Sequence, residues 1–401
     1  MKTVHIIIFC ALMVFLLSGN AGAEPLEGQA APKTSEENAS PAAEENLGEE
    51  YAVVPPKTFE EQAEAMDAEG LKKALPREAR EILGDISPTD INLGDEGFKS
   101  ILDEIKGSFF SIFKSALKSA AKMLTVIILC STVTSAMNEG GIRDMVTLSG
   151  KIAVSAIAIS NVSSFLGMGM DTLLKLSDFS KALLPVMCTA AASAGAITSA
   201  SAKYAATAMF MDVLITVAAN IIMPLISIYL AAVIANAALS KDSLTNVSKL
   251  LKWVCTTSLT LLMTAFTTYL GFSGLISGKA DEFATKLTKS ALGTAMPVVG
   301  SIISDTAETL VAGAGMIRNA IGVFGFLAVA AICITPFLTL SAHYLVYKGT
   351  SALSEALTEK RMGELISDIG TAFGMLLGLV GAGSIMLFFS VISSMKAVNI
   401  L

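Results

Sequence analysis

The sequence predicts an all-α, polytopic transmembrane helical bundle, and three observations lead there. Mean hydropathy is +0.65, and 53% of residues are hydrophobic while only 16% are charged. That composition is far from a domain that must cover itself with a water-facing surface. Apolar runs occupy 123–137, 152–170, 183–202, 205–239, 253–277, 291–317, 320–347 and 365–392, with charged stretches between them. Most approach the roughly 20 residues a helix needs to cross hydrocarbon. Finally, prolines recur inside these runs at a fixed spacing.

The first element, MKTVHIIIFCALMVFLLSGNAGAEP, places Lys2 before an apolar run at 4–17, followed by Ala21-Gly22-Ala23 and Glu24. This is the layout of a cleavable secretory signal at 1–23, so the mature chain is expected to begin outside the cytoplasm. Residues 24–70 are acidic and poor in apolar side chains (EENASPAAEENLGEE). They cannot bury enough surface to offset chain entropy, and a largely disordered extracytoplasmic arm is expected. Order begins in 71–122. In LKKALPREAREIL, Pro76 sits in a first helical turn and Ala79, Ile82 and Leu83 recur at helical spacing. Further on, Lys106, Lys114, Lys118 and Lys122 share one helix face, and Ile105, Phe109, Phe113 and Leu117 share another. Such an amphipathic helix suits a lipid surface or packing against its own protein, and both readings stay open. The membrane domain then spans 123–401; its first run is short, so the first span borrows turns from the basic helix.

Pro185 and Pro297, and likewise Pro224 and Pro336, stand 112 residues apart. Around the second pair Ile222, Leu225, Ile226 and Ser227 fall on Ile334, Phe337, Leu338 and Thr339. An internal repeat of about 112 residues follows, with units at about 180–277 and 292–395. Three spans per unit would invert the halves; a re-entrant first segment would leave two spans and parallel halves. Lysine counts on the loops do not decide between them. Pro224 and Pro336 are expected to kink their helices. Gly370, Gly374 and Gly378, four apart, make a flat packing seam, internal or between subunits.

The stretch GTAMPVVGSIISDTAETLVAGAGM puts Asp305 and Glu308 in an apolar, small-residue run. Carboxylates in lipid are costly, so they must meet protein, water or the interface. Three readings stay open: a pore or ion-coupling site, a re-entrant hairpin turning at Gly293, Gly300, Gly313 and Gly315, or local pairing with Arg318. Asp212, in TAMFMDVLITV, is a more isolated candidate of the same kind, while Asp368 lies near a helix start, where its charge complements the dipole.

Other chemistry fails. Cys130, Cys188, Cys255 and Cys333 sit singly in apolar runs, and His343 is the one histidine after the leader, so no catalytic triad and no metal site are expected. Its neighbours Tyr344 and Tyr347 point to a helix end in the interfacial aromatic belt. GFSGLISGKA lacks the first glycine of a phosphate loop, where Ser273 stands, and its last hydroxyl, where Ala280 stands. The net charge of −7 argues against nucleic-acid binding. Catalytic residues and cofactors are expected to be none.

PREAREILGDI, MLTVIILCSTV, LLPVMCTAAASAGAITSA, IIMPLISIYLA, PVVGSIISDTAETL and IRNAIGVFGFLAV, in that order, resemble the stage III sporulation protein AE family of spore-forming Firmicutes. The resemblance covers most of the chain from about Leu71. It implies a multi-pass, permease-like subunit in the mother-cell membrane around the forespore, inside a channel or secretion-like complex needed for spore development. The partners it implies are membrane lipid, a secretion-type ATPase, a forespore-side channel protein and other stage III proteins; self-association is left open. It supplies no catalytic residue set. A second class of function also stands: a self-contained secondary transporter with Asp212, Asp305 or Glu308 coupling ion to substrate.

Overall fold

A computed structural model of the chain describes residues 64, 67–88, 93–137, 140–194, 197–238, 244–295, 300–357 and 360–395, with only the backbone at 68, 93, 95, 197, 199, 271, 273–295 and 300–313. The expected signal at 1–23 and nearly all of the acidic arm at 24–70 lie outside the described residues, as does Pro297. Among the described residues every regular element is helical.

Pro76, expected in a first helical turn, stands at the start of α2 (Arg77–Leu83), and a separate short helix, α1 (Ala68–Ala74), precedes it. The break follows from Pro76, which pushes the residue before it out of the helical region; Leu75 has φ −64° and ψ 135°. Arg80 Nη2 spans the break by donating to the carbonyls of Lys73 (2.9 Å) and Leu75 (3.1 Å). Gly84 ends α2 at φ 62°, donating its N–H to the Arg80 carbonyl, a conformation that favours glycine. Leu71, Leu75, Ala79 and Leu83 are buried, which docks this pair on the bundle.

The bundle is built from α3 (Leu93–Ser135), α4 (Gly141–Ser193), α5 (Ile197–Val217), α6 (Met223–Ala238), α7 (Thr245–Ala295), α8 (Gly300–Leu357) and α9 (Lys360–Met395). A π-helical turn, Ala218–Ile222, joins α5 to α6. Its last bond runs from the Met223 N–H to the Ala218 carbonyl, and both flanking residues keep right-handed helical dihedrals. The extra residue in this turn sits immediately before Pro224, whose missing N–H interrupts the ordinary ladder. Pro336, by contrast, lies inside α8, which continues through it to Leu357. Among the described residues six helices are long and apolar enough to cross a membrane: Glu96–Ser135, Gly141–Ser193, Ala200–Ala238, Thr245–Leu270, Ala314–Leu357 and Lys360–Met395.

Residue contacts fix the directions. α8 and α9 are antiparallel: Gly374 faces the Tyr344 ring, the Ser384 hydroxyl donates to Cys333 Sγ (2.9 Å), and Arg318 reaches the Met395 carbonyl. α5–α6 also opposes α9, through Thr207 with Ser390 and Tyr229 with Asp368. The segments bearing Pro224 and Pro336, α5–α6 and α8, therefore run in the same direction, and each is followed by an antiparallel partner; Pro185 lies inside α4. The segment 183–202 is the tip of a helical hairpin between α4 and α5, which pack on each other. It is neither a separate span nor a re-entrant loop. Likewise Gly300, Gly313 and Gly315, expected as hairpin turns, lie within α8, and Gly293 lies within α7.

The α8–α9 pair is central: 67% and 72% of their most apolar stretches are buried, against 11% in α7. Small residues permit this closeness. A Cβ at Gly383 would stand 2.8 Å from Leu173 Cδ2 of α4, and one at Gly370 would stand 3.2 Å from Tyr347 Cβ of α8. The packing seam of Gly370 and Gly374 thus faces α8, while Gly378 turns toward Leu259 of α7. α3 runs beside α8 in parallel, with Phe98 against Phe326 (6.1 Å) at one end and the Ser131 hydroxyl on the Leu357 carbonyl at the other. The basic helix packs against its own protein, but by another face than the expected one, since Phe109 and Leu117 are exposed. Ile101, Ala116, Ala120, Met123 and Ile127 are buried, and the lysines face outward. The expected domain boundary at 122–123 falls inside α3.

Candidate functional site

Lys348, on α8, is the hinge of a charged layer drawn from four helices. Its Nζ donates to the Ser367 carbonyl (2.8 Å), the Ser367 hydroxyl (2.7 Å) and the Thr371 hydroxyl (3.1 Å) on α9. The ammonium group also lies 6.0 Å from the Tyr344 ring centre. Asp368 feels both Lys348 and Lys252 of α7 electrostatically. Tyr229 of α6, itself buried, donates its hydroxyl to the Asp368 carbonyl (3.0 Å). The glycines at 370 and 374 let α8 come close enough for these bonds. Asp368 is in the third turn of α9, so its charge answers two lysines rather than the helix dipole.

One turn of α8 away, His343 is buried inside the bundle. Its Nδ1 donates to the Thr339 carbonyl (2.8 Å), and its ring lies 4.5 Å from Phe165 and 5.6 Å from Phe373. Asn161 Nδ2 donates to the Tyr347 hydroxyl alongside (2.9 Å). Tyr347 meets Asn161 of α4 and Phe373 of α9, and Tyr344 faces Gly374 of α9.

A second layer caps the end of α9. Lys203 Nζ donates to the Ser393 carbonyl (2.6 Å) and Arg318 Nη2 to the Met395 carbonyl (2.9 Å). Two cations at a helix C-terminus satisfy carbonyls that lack intrahelical partners and complement the dipole. Arg318 is 1% exposed, and its Nε and Nη1 have no partner among the described residues. Glu308 and Asp305 precede it on the same helix by ten and thirteen residues, about 15 and 20 Å along the axis. The side chains of both acids lie outside the described residues.

From Arg318 to Lys348 is thirty residues, about 45 Å of helix, close to a bilayer with its headgroup regions. Between these layers the described parts of α5, α6, α8 and α9 carry one charged residue, Asp212, and it is exposed on the outside of α5. The other flank is different. α4 passes the same levels, with Phe165 at Phe373 (5.3 Å) and Leu183 at Gly325, and its outer face there carries Asp171, Lys175, Asp178 and Lys181. Lys175 pairs with Asp171 and with Glu78 of α2, each at 3.0 Å, and Lys181 pairs with Asp178 at 3.0 Å. Lys106, Lys114 and Lys118 of α3 add to this flank. Glu78, outside the spans, is held below the usual carboxylate range, first by a backbone N–H at its own helix start and then by Lys175.

The three acids singled out in the sequence do not form one site. Asp212 lies level with Cys333, because Leu214 and Ser384 meet at the same height through Gly383; the backbone positions of Glu308 and Asp305 are about 37 and 42 Å further along α8. The side chains of Asp305 and Glu308 lie outside the described residues. Lys348, Tyr229, Ser367, Thr371 and the Lys203–Arg318 cap were not singled out. Lys348 and Arg318 did carry a signal, since each bounds a long apolar run.

A model of the family described as Stage III sporulation protein AE (spore_III_AE) matches residues 87–397, from just before α3 to just past α9. The chain belongs to this family. It is also similar to Stage III sporulation protein AE of Bacillus subtilis (strain 168), 22% identical over 270 residues that cover 66% of this chain and 67% of that protein. No solved structure matches. Family membership places the chain among sporulation proteins, and with its six apolar helices it is a multi-pass membrane protein. The stage III AE match embraces both charged layers and the whole bundle, so the family-level feature is the membrane body itself.

Proposed function

We propose that the protein is an integral membrane subunit of a sporulation-specific, channel-like or secretion-like complex that links mother cell and forespore, located in the mother-cell membrane that surrounds the forespore. The observation that carries this reading is the polarity of the bundle's outside. Between the two charged layers, lysines and acids line the α3–α4 flank and Asp212 lies exposed on α5. Charged groups at that depth belong against protein or water and not against lipid tails. A chain built this way is a part, completed by neighbours. Its helices also exceed the bilayer: α8, at 58 residues, is about 87 Å long against roughly 30 Å of hydrocarbon, which leaves helical surface for partners in the space between the two membranes. A secretion-type ATPase would supply energy, since no nucleotide loop is expected here.

The transporter reading fits less well. Among the described residues, hollows of about 300 Å³ beside Asp67, Pro185 and Thr189, and of about 380 Å³ beside Asp144, Lys151 and Arg361, are partly open clefts away from Asp212; the side chains of Asp305 and Glu308 lie outside the described residues. The test is functional reconstitution. Solute flux across liposomes should require co-reconstitution with the other stage III proteins, and a tagged chain should recover them from sporulating cells. Substrate-coupled uptake by the chain alone would overturn the proposal in favour of a transporter.

A further inference from the structure

Asp212 poses a sharper question than its exposure alone. It follows the Lys203 cap by nine residues, about 14 Å of helix, so it sits below the headgroup level on the outside of an apolar span whose mean hydropathy is 2.2. A carboxylate facing acyl chains costs several kcal/mol, so something other than lipid covers it. Its surroundings on α5 are apolar and also exposed: Met209 is 53% and Val213 41% accessible.

A complementary face exists on the same molecule. α3 tracks α8 at an offset of 226 residues, which puts Lys106 level with residues 332–334. Cys333 is tied to Ser384, and the next residue of α9, Gly383, packs against Leu214. Lys106 and Asp212 therefore lie at the same height in the membrane. Around Lys106, Phe109 and Phe110 are 51% and 74% exposed, matching the apolar surround of Asp212. The two faces are on separate flanks: α3 packs on α8 and α4, whereas α5 packs on α4, α7 and α9.

We propose that copies of this chain associate head to tail in the membrane, the α5 face around Asp212 of one copy seating on the α3 face around Lys106 of the next. Lys106, whose ammonium lies 3.5 Å from Asp103 on its own helix, would be shared with Asp212 at a common depth, and Met209 and Val213 cover Phe109 and Phe110. Because donor and acceptor faces differ, the contact is heterologous, and its repetition gives a ring where the rotation closes and an open row where it does not. The inference does not rest on the identity of the larger complex, since it concerns contacts between copies of this chain alone.

Disulfide trapping tests it. In a chain whose native cysteines are replaced, membranes holding D212C and K106C copies together should give a crosslinked dimer on mild oxidation. Each variant alone should give none, and the double variant should give a ladder of multimers. Crosslinking of D212C with itself would show a two-fold contact and overturn the proposal. Absence of any crosslink in correctly inserted protein, or cover by lipid or another protein alone, would overturn it as well. Charge exchange gives the second reading: D212K should lower the multimer fraction at least tenfold, and D212K combined with K106D should restore it. Loss without restoration, in protein of unchanged monomer stability, would refute the pairing.

Discussion

Replacing Lys348 by methionine removes the amine and keeps most of the side-chain volume. Three bonds are lost, to the Ser367 carbonyl, the Ser367 hydroxyl and the Thr371 hydroxyl. Bonds from a charged donor are worth roughly 1.5–3 kcal/mol each, but bringing an ammonium into the bundle costs several kcal/mol, which offsets much of that sum. What remains is the loss to Asp368, which keeps only Lys252 as a nearby cation. Removing one partner of a fully buried pair costs about 3–5 kcal/mol; Asp368 is exposed on one side, so about 2–3 kcal/mol is the expected cost of K348M. D368N alone should cost about 1 kcal/mol, because its carbonyl still accepts from Tyr229. If the two charges interact, the double variant should be more stable than the sum of the single effects by about 1 kcal/mol. Trp253, the sole tryptophan, neighbours Lys252 and reports unfolding near this layer by fluorescence in detergent. Strict additivity, or a K348M chain as stable as the parent, would refute the coupling.

At the packing seam, a side chain at Gly374 would begin 3.1 Å from the Tyr344 ring, whereas at Gly378 the nearest atom is 3.9 Å away. G374L should therefore cost about 1–3 kcal/mol and G378L less, compared by thermal unfolding of the purified chains. Arg318 gives one hydrogen bond and leaves two buried nitrogens without a partner among the described residues. R318M should thus change stability by less than about 1 kcal/mol, while R318A, which opens a cavity, should cost more; the same unfolding assay ranks them. The pH dependence of the α2–α4 contact follows from Glu78. Its folded value is lowered, so its contribution is present above the ordinary carboxylate range and is lost as pH falls through the lowered value. After correction for the intrinsic pH dependence of exchange, protection across Ala79–Leu83 should fall on acidification in the parent and stay level over that range in E78Q.

The apolar runs were legible as spans, but their ends were not. Charges at Asp171, Lys175, Asp178 and Lys181 marked a loop between runs in the sequence, yet α4 continues through them. Spacings of three and four let those charges pair along one helix face, so the same residues that leave lipid also support the helix. The seam glycines were legible because their spacing alone defines a flat stripe; its partner was not, because Tyr344 and Tyr347 come from another helix. The charged layer at Lys348 escaped notice for a related reason. Lys252, Lys348 and Asp368 each stand at the border of a different apolar run, and only antiparallel packing brings the three borders to one height.

That packing also bears on the repeat. The 112-residue spacing left inverted and parallel halves equally open, and the choice turned on whether the first segment of each unit crosses. In the structure the segment at 183–202 divides between the end of α4 and the start of α5, so it is shared by two spans. What remains of each unit is a descending proline helix and an ascending partner, α5–α6 with α7 and α8 with α9. The helices that carry Pro224 and Pro336 run the same way, while α4, which carries Pro185, runs opposite to α8; no two-fold axis in the membrane plane relates the Pro224 and Pro336 helices, as rocking between inverted halves would need. On the function proposed above, a conduction path would lie not at a pseudo-symmetric midplane site within one copy but along the charged α4 face, where a neighbouring chain would supply the other wall.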